Sequence, residues 1–194
     1  MKRPQAHCVR GPKGRVSTDM AAILIVYASI DGHTRKICER LQRTIEAHGH
    51  SVSLVPIGAT GGVDLASFDK IVVGASIRCG RHSPRVREFV DAQQPLLDSK
   101  PNAFFSVNVV ARKPNKNRPD TNPYLQKFLR QVRWRPKLLE VFAGKLDYPR
   151  YGIVDRLMIR LVMWITDGPT DASTVVEFTD WQRVDAFAER VAGL

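Results

Sequence analysis

AILIVYASIDGHTRKICERLQRTIEAHG, residues 22–49, holds a strand, a loop and a helix in immediate succession. The run 22–28 is short and unbroken in its apolar character, which is how a strand buried on both faces of a parallel sheet reads. Ile37, Leu41 and Ile45 then recur four apart and Gly49 stops the pattern, so 34–48 is expected to be a helix. The joint between them is Ser29-Ile30-Asp31-Gly32-His33-Thr34. Hydroxyls, a glycine permitting close backbone approach, and a helix amino terminus together form a phosphate cradle. The loop contains no lysine and no G-x-x-x-x-G-K or G-x-G-x-x-G signature, so it suits a monophosphate better than a triphosphate or dinucleotide. A capped helix after a tight turn is the plainer reading of the same residues.

Outward from this unit the alternation repeats. Strands are expected at 51–57, 70–76 (KIVVGAS), 103–110 (AFFSVNVV) and 138–144. Ser83 as cap and Pro84 at the first helical position open a helix carrying Val86, Phe89 and Val90, with Pro95 near its end. A polar, proline-punctuated loop, 111–121, precedes a helix begun by Asn122-Pro123 and bearing Tyr124, Leu125, Phe128, Leu129 and Val132. Thr179-x-x-Gln182 reads as a capping box for a last helix that buries Trp181, Val184, Ala188 and Val191. The prediction is an α/β, flavodoxin-like, doubly wound, five-stranded parallel sheet in the order 2-1-3-4-5. The stretch 147–178 is extra to that scheme. Its centre, 154–165, carries Val154, Leu157, Met158, Leu161, Val162 and Ile165 at helical spacing, beside Arg156, Arg160 and Trp164. Such a helix suits docking on the sheet or lying on an anionic membrane surface, and it is too short to span one.

At 194 residues, 43% hydrophobic and 25% charged, the chain suits one domain. Its net charge of +11 is uneven: 111–160 holds thirteen Lys/Arg against four Asp/Glu, whereas 161–194 is net acidic. That field favours anionic partners. Cys8, Cys38 and Cys79 have no zinc or disulfide spacing, and no metal site is expected. Residues 1–19 are basic without an apolar segment, and are expected to be a disordered extension to a domain spanning 20–194.

Ligands of open parallel sheets lie beyond the carboxyl ends of the strands, where strand order reverses. The cradle Ser29–Thr34 would therefore hold a monophosphate, and an isoalloxazine ring would lie beside it in such a fold. The third loop, with Ser76, Ile77, Arg78, Cys79 and Gly80, would lie along the flavin ring, and Ser106, Val107 and Asn108 would meet its edge with backbone amides and an amide side chain. Cys79, His33 and His82 read equally as bystanders, and no residue is identified as a catalytic base. Arg112, Lys113 and Arg150 lie in or beside loops at this end, and arginine clamps carboxylates in bidentate fashion. Each taken singly also reads as a solvated surface charge.

Several segments resemble the flavodoxin-type, menaquinone-dependent protoporphyrinogen oxidases of bacterial haem biosynthesis. They are SIDGHT (29–34), VVGASIRCGRH (72–82), FFSVNVVARKP (104–114), WRP (134–136), YPRY (148–151), DRLMIRLVM (155–163) and TDW (179–181). The resemblance covers about 22–194. It implies FMN as cofactor, oxidation of protoporphyrinogen IX to protoporphyrin IX, and electron delivery to a respiratory quinone. It also implies peripheral association with the cytoplasmic face of the inner membrane. A homo-oligomer is compatible with it. Competing expectations are a flavodoxin-like electron carrier, a quinone reductase with another substrate, and a nucleic-acid module. Carriers are typically acidic, there is no dinucleotide fingerprint, and no aromatic residues interleave with the basic cluster as a stacking platform needs. No nucleic-acid partner is expected.

Overall fold

Alternation along the first strand decides the layers. In the computed structural model, which describes residues 20–150, 152–165 and 168–194, β1 (Ala22–Ala28) is fully buried at its centre. Leu24 and Val26 enter one core and Ile23 and Ile25 the other. A strand buried on both faces needs helices on both. Around β1 the chain lays α1 (His33–Ala47), β2 (Ser51–Pro56), β3 (Lys70–Arg78), β4 (Arg81–His82), α2 (Pro84–Ala92) and α3 (Gln94–Ser99). It continues with β5 (Asn102–Asn108), α4 (Pro123–Gln131), β6 (Leu138–Ala143), β7 (Lys145–Asp147), α5 (Ile153–Ile165), β8 (Val175–Glu177) and α6 (Trp181–Ala192). The five long strands are parallel in the order β2-β1-β3-β5-β6, which is the predicted doubly wound sheet.

One face is covered by α2, α3 and α4 through Val86, Phe89, Leu97, Leu125 and Phe128. The other is covered by α1 and α6 through Ile37, Leu41, Ile45, Val184 and Phe187. Each such side chain contributes about 1.5–3 kcal/mol by leaving water.

Several boundaries differ from expectation. The helix after Ser83 breaks at Gln93 into α2 and α3, because Pro95 sits in the first turn of the second piece; Ser83 makes no capping hydrogen bond. The Thr179–Gln182 capping box does not form. Asp180 is the cap, accepting from the amides of Gln182 and Arg183, while Thr179 Oγ1 donates to the Ala143 carbonyl at 2.7 Å. Trp181 is half-buried, its indole N–H on Glu177, and Phe187 takes the core position instead. The strand expected over 103–110 ends at Asn108, where the chain tightens into a 3-10 turn. Strands β4, β7 and β8 are too short to carry a periodic signal. Residues 1–19 lie outside the described residues.

Candidate functional site

The carboxyl ends of β1, β3 and β5 open onto a cleft of about 400 Å³, within the usual size of small-ligand sites. Gly32 closes the first loop at φ +81°, a conformation glycine takes without strain, and no side chain caps α1. The first amides of the helix are thus left without a side-chain acceptor, and a helix start of this kind favours an anion. Beside them Ser29 Oγ is buried with no hydrogen-bond partner among the described residues, and Thr34 is buried in the first helical turn. A buried hydroxyl without a partner is costly unless something pairs with it, and a phosphate oxygen fits.

The next wall is a hairpin. Ile77 pairs with His82 and Arg78 with Arg81, leaving Cys79 and Gly80 as a two-residue turn. Both have positive φ, +50° and +72°, as a type I′ turn requires. Cysteine there is strained, and such strain collects at ligand sites. Arg78 Nη1 reaches back to the Asp31 carboxylate at 3.2 Å, tying the hairpin to the first loop.

At the end of β5, Asn108 is buried and its side chain holds the following loop. Its Oδ1 accepts from the Ala111 amide at 3.0 Å and from Asn122 Nδ2 at 3.3 Å. Val107 and Asn108 line the cleft. Ser106 does not: its hydroxyl is buried, 3.0 Å from His82 Nε2. Burial pushes the His82 ring down to about 3, so it is neutral there.

The remaining wall comes from the insertion. β7 and β8 form an antiparallel pair off the main sheet, and α5 brings Ile159 and Met163 over the opening. Charge inside the cleft is matched pair by pair. Besides Asp31–Arg78, Lys145 lies 2.8 Å from Asp147 and Lys36 lies 2.9 Å from Glu177. Burial works to raise Glu177, but hydrogen bonds from Lys36 and Trp181 outweigh it and hold the carboxyl below its usual range. His33 sits at the rim, edge-on to Trp181, with Nε2 2.7 Å from Thr179 Oγ1. Since that hydroxyl already donates to Ala143, Nε2 carries the ring proton and donates. Burial, opposed by Glu177, lowers the ring's pKa and favours its neutral form.

Ser29, Ile30, Asp31, Gly32, His33 and Thr34 are therefore brought together with Ser76, Ile77, Arg78, Cys79, Gly80, Val107 and Asn108. Arg112 and Lys113 do not join them. Two consecutive 3-10 turns, 109–112 and 114–116, fold the loop back on itself. They leave the Arg112 guanidinium on the Val109 carbonyl and against the Phe178 ring. The side chain of Arg150 lies outside the described residues. Lys36, Tyr124, Lys145, Asp147 and Glu177 line the cleft without having been singled out. Lys36 alone had a legible signal, being in the first turn after the cradle.

The model of the family described as Flavodoxin domain matches residues 24–173. The chain is 41% identical over 171 residues to the protoporphyrinogen IX dehydrogenase (quinone) of Escherichia coli K12, covering 88% of this chain and 94% of that one. It is 40% identical over 172 residues to the Leishmania major protein of the same name, covering 88% and 74%. The chain belongs to this family. Flavodoxin 2 of Bacillus cereus shares the fold, with a TM-score of 0.51 at 19% identity over 89% of this chain and 99% of that one. Membership of this family makes the cofactor a flavin, and the uncapped α1, the orphaned Ser29 hydroxyl and the strained hairpin are residues that fit one.

Proposed function

We propose that this protein is an FMN-dependent dehydrogenase that oxidises protoporphyrinogen IX to protoporphyrin IX and passes the electrons to a respiratory quinone. The observation that carries the reading is the cleft itself: a cradle sized for one phosphate, continuing into an apolar slot roofed by an inserted helix that the minimal sheet does not need. Bound FMN would supply a two-electron acceptor. Ser29, Thr34 and the α1 amides would hold its phosphate, the hairpin 77–80 would flank its ring, and Val107 with Asn108 would meet the edge. Ile159 and Met163 would keep water from the reacting face. His33, donating from Nε2, fixes Thr179 and so the junction of β6 with α6. Six hydrogens leave the substrate, so three two-electron turnovers are needed per macrocycle.

A quinone is apolar, and α5 supplies a place to meet its solvent. Ile153, Leu157, Leu161, Trp164 and Ile165 are exposed along it. We place this face on an anionic leaflet at the cytoplasmic side of the inner membrane, as a peripheral contact; no helix among the described residues is long and apolar enough to cross. Purified protein should carry FMN stoichiometrically and turn over protoporphyrinogen IX with a quinone acceptor. Absence of flavin absorbance, or turnover with no dependence on quinone, overturns the reading.

A further inference from the structure

The flavin cleft is a poor receptor for carboxylates, because its charged side chains already neutralise one another. A second cavity is different. It opens between the 77–82 hairpin and α4, with a volume of about 260 Å³, and shares Gly80 and Tyr124 with the cleft. Three cations line it, Arg81, Arg87 and Lys127, and no acidic residue does so. Arg87 has Asp91 at 3.3 Å, but among the described residues Arg81 and Lys127 have no ion-pair partner. Arg81 also stands directly across the hairpin from Arg78. Like charges so placed repel, and Asp31 compensates Arg78 alone. Part of its wall is aromatic: the edge of His82 packs on Phe128, ring centroids 4.9 Å apart, and Tyr124 stands beside them.

We infer that this side pocket receives a carboxylate-bearing arm of the substrate whose macrocycle lies in the adjoining cleft. The inference rests on the proposed porphyrinogen substrate, which carries two propionates. The pocket has room for one propionate, whose methylenes would lie on Tyr124 and Phe128 while Arg81 and Lys127 meet the oxygens. Gly80 and Tyr124 border both cavities, so a substrate arm passing over them would reach from the cleft into the side pocket. This gives the carboxylate role to Arg81 and Lys127 in place of Arg112 and Lys113, which line neither cavity.

The test compares protoporphyrin IX with its dimethyl ester, by fluorescence titration of the flavin-loaded protein, and follows KM for protoporphyrinogen IX alongside. Wild type should favour the diacid. In Arg81→Gln/Lys127→Gln the diacid should lose at least about tenfold in affinity, the lower end for a charged hydrogen bond, with a matching rise in KM, while the preference over the ester collapses. Arg112→Gln should leave the preference intact. Equal affinity of wild type for diacid and ester, or an undiminished preference in the double variant, overturns the subsite. Absence of turnover by flavin-loaded wild type instead overturns the dehydrogenase reading, and the titration still decides whether the pocket selects carboxylates.

Discussion

Helices α5 and α6 carry the same sequence signal and meet opposite fates. Both repeat apolar residues at three- and four-residue spacing. In α6 the stripe Val184, Phe187, Ala188 and Val191 is buried against the sheet, Phe187 being 1% exposed. In α5 the stripe Leu157, Leu161 and Ile165 faces outward, with Leu157 61% exposed, and the helix is held by Met163 and Ile159 from its other side. Periodicity establishes that a helix has an apolar face. What covers that face depends on whether a sheet surface is still vacant, and α1 and α6 fill one face while α2, α3 and α4 fill the other.

The widest separation between the two should appear in stability. Phe187→Ala is expected to cost about 3–5 kcal/mol, the range for deleting a buried aromatic ring. Leu161→Ala should cost no more than about 0.5 kcal/mol, as exposed positions do. Urea melts of the two variants check this, and comparable losses would break the contrast.

Covering also acts on charge, and His82 sharpens the point. Shut between Phe104, Phe128 and Ser106, it titrates at about 3 instead of its ordinary 6.5. Between those values the unfolded chain binds a proton that the folded chain does not. Stability therefore falls as pH drops through that window, by up to about 1.4 kcal/mol per unit. Subtracting the pH profile of His82→Gln from that of wild type isolates the effect; parallel profiles would show that the ring is not shut away.

The first loop stands between these extremes, with Ser29 Oγ covered yet unpaired. Thr34→Val and Ser29→Ala should each weaken FMN binding by about 1–3 kcal/mol while leaving the fold intact. Unchanged affinity in both would move the phosphate elsewhere.

What was legible follows the same division. The central strands β1, β3 and β5, α1 and the cradle could be read because burial on both faces imposes near-continuous apolar runs and the cradle is local in sequence. That Ser106 is taken up by His82, 24 residues away, is a tertiary fact that no local pattern carries. Arg112 and Lys113 line neither cavity, since two 3-10 turns fold their loop back on itself, and charge count says nothing of where a loop turns. One of the cleft's ion pairs joins Lys36 and Glu177, 141 positions apart, and the three-residue strand β8 brings them together. No local pattern announces that.

The smallest expected change in stability belongs to Trp164, and it is the one that tests what the outer face of α5 is for. Its indole is 72% exposed, so Trp164→Glu should melt within about 0.5 kcal/mol of wild type. If the face lies on a membrane, the same substitution removes the residue best suited to a headgroup boundary and adds a charge that an anionic leaflet repels. Wild type should sediment with anionic vesicles and be released by added salt, since a basic residue near such a surface contributes about 1 kcal/mol that salt screens. Trp164→Glu should stay in the supernatant at low salt. A wild type indifferent to anionic vesicles would leave the stripe without its proposed occupant. A variant that melts as low as Phe187→Ala would show instead that α5, like α6, is covered by the protein itself.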